Sequence, residues 1–297
     1  MITYQELYDR YTALTKDDST ANCALGKALI NEYNQAICGM REWDFLEKER
    51  TFPTEAESAS YRLPADWGRL MDLWLVIGTQ IYYPDEVFTQ SYWRQLVSSS
   101  SSSDVVQKFI LYSDHVSVFP TPVTADYLYH MLYRRIAKDM FEADYSTGTA
   151  SVAQGSRNVT GAATVWTSAM AGRWILLGGI WHEITSVTSG TALIVEKPAI
   201  AAATLDTNYK IGEMSPIPGE FHDLLWKGPV ADYFDFKGMK NPFRTQYEKR
   251  LGVDRYKNLQ SGLVYNYGSS KKSTSQVIRR RSAGRVVNPN FYPSGMA

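Results

Sequence analysis

Between Thr147 and Gly212 the chain changes texture, and that change limits what it can fold into. Thr, Ser, Gly, Ala and Val dominate this stretch. Short β-type runs recur at Ala150–Ala153, Arg157–Thr160, Trp174–Leu177, Trp181–Val187, Ala192–Val195 and Tyr209–Ile211. The turn pairs Gly155-Ser156, Gly178-Gly179 and Ser189-Gly190 separate them. Strands this short and this closely spaced predict a small all-β barrel or sandwich, inserted into a host of another kind.

The flanks carry helical signals. Thr3 followed by Glu6 has capping-box spacing and opens a helix to about Leu14. After the polar break KDDST, Asp18 or Ser19 is the next N-cap, and Leu25, Leu29, Tyr33, Ile37 and Met40 follow as an amphipathic ladder to near Gly39. Trp43–Phe52 and Tyr61–Leu63 read as a strand pair, and Pro84-Asp85 opens a helix through Val97. Ser98–Ser103 reads as a mobile loop. Lys108–Tyr112 and Val116–Phe119 flank a hairpin turn, and Tyr127–Ile136 fits a strand better than a helix. After Pro216 and Pro218, apolar residues from Phe221 to Phe234 mark one helix or a pair broken near Gly228-Pro229, and Asn241–Leu259 is a further helix. The predicted class is α+β: a helical core with β-hairpins in two parts (1–146 and 213–267), a β-insert (147–212) and an extended basic tail (268–297).

That tail reads GSSKKSTSQVIRRRSAGRVVNPNFYPSGMA and holds Lys271, Lys272, Arg279, Arg280, Arg281 and Arg285 with no acidic residue. The chain carries 31 basic and 31 acidic residues, so six net positive charges in the tail leave six net negative ones in the rest. Such a segment buries too little apolar surface to order alone and is expected to order on a partner. Pro289, Phe291, Tyr292 and Pro293 give its end the character of an extended peptide that fills pockets. The expectation is a component of an assembly.

Chemistry is not legible. His115, His130, His182 and His222 are scattered, without the spacing of a zinc site, and His182-Glu183 lacks a zincin's second histidine. No phosphate loop, dinucleotide fingerprint or nucleophile elbow occurs. No enzyme, metal or cofactor is expected. Cys23 and Cys38 fall on one predicted helix, roughly 22 Å apart at its rise, too far to pair, which suits a reducing compartment. Charges interrupt the N-terminal segment, unlike a signal peptide, and no run approaches the ~18 apolar residues of a membrane span.

Several segments resemble the head–tail adaptor proteins of tailed bacteriophages. These are Tyr61-Arg62-Leu63-Pro64-Ala65-Asp66-Trp67 with Leu70, Leu73-Trp74 and the Ile81–Pro84 turn, the hairpin ending Val118–Pro122 with Tyr127–Arg135, and Ile217–Leu225 followed by the helix with Tyr247-Glu248. Val159-Thr160-Gly161, Thr164–Thr167, Gly172-Arg173 and Ile184–Val187 resemble a small β-module of phage virion proteins, which the basic adaptor lacks. The resemblance implies a virion protein made in the host cytoplasm. It implies a ring of about a dozen copies, a homo-dodecamer, below the portal protein. The ring would extend the DNA channel and serve as a platform for a tail tube or nozzle protein, with the C-terminal tail gripping the portal. The arginines are expected on the portal in preference to DNA in the lumen. The alternative is a tail or receptor-contacting virion protein whose β-insert binds host-surface sugar, which exposed Trp166, Trp174 and Trp181 would favour over the expected packing of these rings in the β-core.

Overall fold

A computed structural model describes residues 1–99, 101–252 and 262–268. The described residues divide into two compact units, 1–45 with 137–268, and Leu46–Ile136. Helices and strands mix in an α+β fold.

The first unit opens with α1 (Tyr4–Thr15) and α2 (Thr20–Gly39). The expected capping box is present, with Glu6 N–H donating to Thr3 Oγ1 (3.3 Å) and Thr3 N–H to Glu6 Oε2 (3.1 Å). Ser19 caps α2 through its hydroxyl. The ladder predicted for α2 is corrected, because Leu25 and Met40 are exposed while Ile30 and Ile37 are buried beside Asn22, Asn31 and Asn34. These amides point inward to satisfy backbone groups outside regular structure. Asn31 exchanges two 2.9 Å bonds with the N–H and C=O of Met140, and Asn34 donates to the Lys138 carbonyl.

The second unit holds β1 (Glu47–Pro53), β2 (Ser60–Arg62), β3 (Trp67–Ile77), β4 (Gln80–Tyr82), β5 (Asp85–Glu86), α3 (Gln90–Val97), β6 (Lys108–Leu111), β7 (His115–Phe119) and β8 (Leu128–Arg135). They form two sheets ordered β1-β8-β3-β4 and β2-β7-β6-β5. The sheets share one core, Tyr61, Phe109, Val116 and Val118 meeting Leu73, Leu75, Tyr129 and Met131. The predicted pairing of Trp43–Phe52 with Tyr61–Leu63 is therefore wrong: β1 pairs with β8 and β2 with β7, while Phe52 and Tyr61 touch ring to ring at 5.3 Å. The helix expected from Pro84 starts only at Gln90. Before it, the Asp85 and Val87 N–H groups donate to the Gln107 and Phe109 carbonyls, drawing Asp85-Glu86 into a parallel strand. Ser101 and Ser103 are not a free loop either, each bonding Thr121 through the backbone; Ser100 lies outside the described residues.

Back in the first unit come β9 (Thr149–Val152), β10 (Asn158–Ala162), β11 (Trp174–Leu177), β12 (Ile180–Ser189), β13 (Ala192–Val195), β14 (Ala203–Asp206) and β15 (Lys210–Gly212). They make one antiparallel sheet, β14-β9-β10-β13-β12-β11-β15, curled around Ala150, Val159, Ile175, Ile184, Leu193, Val195 and Ile211. All the predicted runs fall on these strands, and only β14 was not foreseen. The helices α4 (Leu224–Phe236), α5 (Phe243–Leu251) and α6 (Leu263–Gly268) follow. α4 runs unbroken through Gly228-Pro229. A Cβ at Gly228 would collide with the Tyr33 ring, whose hydroxyl is fixed on Asp232 at 2.7 Å. Of the predicted helix 241–259, residues beyond Gly252 lie outside the described residues.

Within the second unit's core, the Tyr129 hydroxyl is fully buried without a hydrogen-bond partner, its ring against Phe52 (5.1 Å) and Tyr61 (5.3 Å). An orphaned hydroxyl costs its desolvation and returns nothing. Tyr129→Phe is therefore expected to raise unfolding stability by about 1 kcal/mol, measured by urea denaturation.

Candidate functional site

The tail residues singled out above, from Lys271 to Pro293, lie outside the described residues. What the structure describes is the root from which they leave. At the end of α6, the Tyr267 ring meets Phe45 (5.8 Å) and Phe221 (6.0 Å) edge-on, and its hydroxyl donates to Glu220 at 3.2 Å. The Arg250 guanidinium of α5 lies over Phe221 at 4.5 Å, donates to the Glu220 carbonyl and reaches Asp223 at 3.3 Å. Asp223 also takes Lys227 at 2.6 Å, one helical turn on. Edge-to-face rings and a stacked guanidinium hold position with little entropy cost. Sequence reasoning missed this root, because its partners come from residues 45, 220–223, 250 and 267.

A second cluster joins the seven-stranded sheet to α1. Lys210 of β15 bonds Glu6 at 2.6 Å and lies 3.5 Å from Asp144, whose other contact is the Thr3 hydroxyl at 2.8 Å. Burial, the largest effect on Asp144, raises its pKa above the usual carboxylate range. Burial would raise Glu6 as well, but its bond to Lys210 prevails and holds it below the usual value. The Tyr4 N–H donates to the Glu213 carbonyl (2.8 Å), and a Cβ at Gly212 would strike Thr3 and Asp144. His222 is fully buried. Its Nδ1 lies 3.1 Å from the Ile2 nitrogen and 3.0 Å from the Ile2 carbonyl, and its Nε2 lies 2.8 Å from the Ile217 carbonyl. Burial lowers its pKa below the ordinary histidine value.

The other histidines are dispersed. His115 stacks on Tyr112 and contacts Asp114, His130 stacks on Trp74 and contacts Glu49, and His182 is buried in the β-domain. Among the described residues, no group of three His, Cys, Asp or Glu is placed to hold a metal ion, and no helix is long and apolar enough to cross a membrane. Trp166 is 3% exposed and edge-on to Tyr209, so it fills the β-core. Trp174 and Trp181 are half-buried on neighbouring strands.

The family model described as SU10 adaptor protein matches residues 2–264, and the chain belongs to that family of structural phage adaptor proteins. A comparison with curated proteins found no match.

Two outcomes test the joint. Lys210→Met leaves Glu6 and Asp144 without their cation, and a loss of about 1–2 kcal/mol is expected by chemical denaturation, the exposed part of the pair being discounted. Because the folded pKa of His222 is depressed, the stability it protects is present above the unfolded value near 6.5 and is lost as pH falls through the folded value. The melting temperature should therefore drop on acidification from about pH 7 to 5. His222→Gln should flatten that part of the profile.

Proposed function

We propose that this protein is a head-to-tail adaptor that forms a ring below the portal, continues the DNA channel and offers the tail its attachment platform. The observation that carries the reading is the family match over residues 2–264. Charge supports it, since a tail rich in Lys and Arg follows a body that is net acidic. A basic peptide ending in Pro289, Phe291, Tyr292 and Pro293 suits a partner with an acidic, pocketed surface, and an extended segment adds contact area without a rigid interface. In this scheme Lys271, Lys272, Arg279, Arg280, Arg281 and Arg285 contact the portal, and the Tyr267 root fixes where the tail departs. The helices form the ring wall as a first part (1–146) and a last part (213–267). The β-domain (147–212) projects toward the tail tube, the nozzle or a neighbouring virion protein. A homo-dodecamer at the head–tail interface of the virion, made in the host cytoplasm and serving genome ejection through its channel, completes the picture.

Negative-stain electron microscopy of the purified protein with its phage's portal tests this. A second tier on the portal is expected with the full chain and none with residues 268–297 deleted, the truncated protein keeping its helical circular dichroism. A tier formed equally well by the truncated protein would refute the docking role of the tail. Monomers that ignore the portal would refute the adaptor reading itself.

A further inference from the structure

The corner between α4 and α5 is rigid, yet it presents large apolar side chains to solvent. Phe236 is 81% and Met239 53% exposed, with Lys237 and Lys240 exposed beside them. Asn241 ties the corner down, donating to the Ala231 carbonyl (2.7 Å) and to Asp235 (2.6 Å) and accepting from the Phe243 and Arg244 N–H groups. Arg244 clamps Asp232 (2.5 Å) and Asp235 (2.7 Å), and Asp17, held by the Tyr233 hydroxyl at 3.0 Å, is balanced by Lys237, which leaves Lys240 as the cation offered to a partner. Lys237 lies over the Tyr233 ring at 5.5 Å. What remains outward is an aromatic–thioether knob of positive charge. A preorganised apolar anchor of this kind is the usual core of a binding hot spot.

The same chain carries a surface of small side chains and opposite sign. On α2, Leu25, Ala28, Glu32, Ala36 and Met40 are exposed while Asn22, Asn31 and Asn34 are buried. At 3.6 residues per turn Leu25, Ala28, Glu32 and Ala36 share one outward arc, and Glu32 is its formal charge. The helix buries Ile30 and Ile37 beside these amides and leaves Leu25 and the alanines to solvent.

We propose that the α4–α5 corner of one copy seats on the α2 arc of a second copy. Phe236 and Met239 fill the shallow surface over Ala28 and Ala36, and Lys240 meets Glu32. Large side chains face small ones and a cation faces an anion. Because two different surfaces meet, the contact is heterologous and repeats from copy to copy until the rotation closes. The inference rests on the adaptor reading for the closure into a ring, and on the structure for the surface used.

The test is native mass spectrometry and light scattering of the full chain over a concentration series, alone and with portal. Phe236→Ser should weaken self-association at least about tenfold while the melting temperature holds, since the side chain is exposed. Glu32→Lys and Lys240→Glu should each weaken it up to about fivefold, and the two together should restore it. Assembly indifferent to Phe236→Ser, or no recovery in the double variant, would overturn the surface and leave the ring reading intact. A wild-type chain that never self-associates, alone or on portal, would overturn both. Loss of binding to another virion protein with self-association unchanged would assign the corner to that partner and overturn the proposal.

Discussion

Thr3 is fully buried, and bonds from distant parts of the chain converge on it and its neighbours. Its hydroxyl donates to Asp144 while accepting from the Glu6 N–H, and its own N–H reaches back to Glu6. On one side Ile2 is held by His222; on the other the Tyr4 N–H is held by Glu213. A single N-terminal segment thus ties together the start of α1, the base of the β-domain and the approach to α4. These contacts span most of the chain's length, so the joint forms only when late residues have folded back onto early ones, and loop closure must precede its reward. The cation at Lys210 is shared between a carboxylate raised by burial and one held low.

How much of this could be read from residues alone depends on how far apart the partners lie. The capping box at Thr3 and Glu6 is local, and it is present as expected. The seven-stranded sheet is legible in part for the same reason: three of its six pairings, β9 with β10, β11 with β12 and β12 with β13, join sequence neighbours across tight glycine turns. The second unit defeats local reading. β3 is the longest strand of its sheet, yet register shifts at Trp67/Arg69 and Leu70/Asp72 break its alternation, and no clean period of two survives. β5 becomes a strand only because β6 lies beside it.

α2 shows a different failure. A ladder of Leu and Ile at helical spacing normally marks the buried stripe. Here three asparagines claim inward positions, Asn31 and Asn34 to serve irregular chain at Met140 and Lys138 and Asn22 to hold Tyr11, Thr15 and Asp17, and part of the apolar ladder turns to solvent. The root of the tail was hidden likewise, since nothing near Tyr267 in sequence announces Phe45 or Phe221. Residue type states what a side chain can do; the fold decides with whom.

Tyr145 and Ile211 exchange two backbone bonds of 2.8 Å, so the chain goes into the β-domain and comes out of it through one doorway. Paired residues of an antiparallel bridge stand about 5 Å apart. The host closes across that gap whatever occupies the sixty-odd positions between, because the length of an excursion adds little to the cost of bringing its ends together. The doorway marks where the curled sheet begins and ends along the chain, while Lys210 and Gly212 beside it bind that sheet to the first residues of α1.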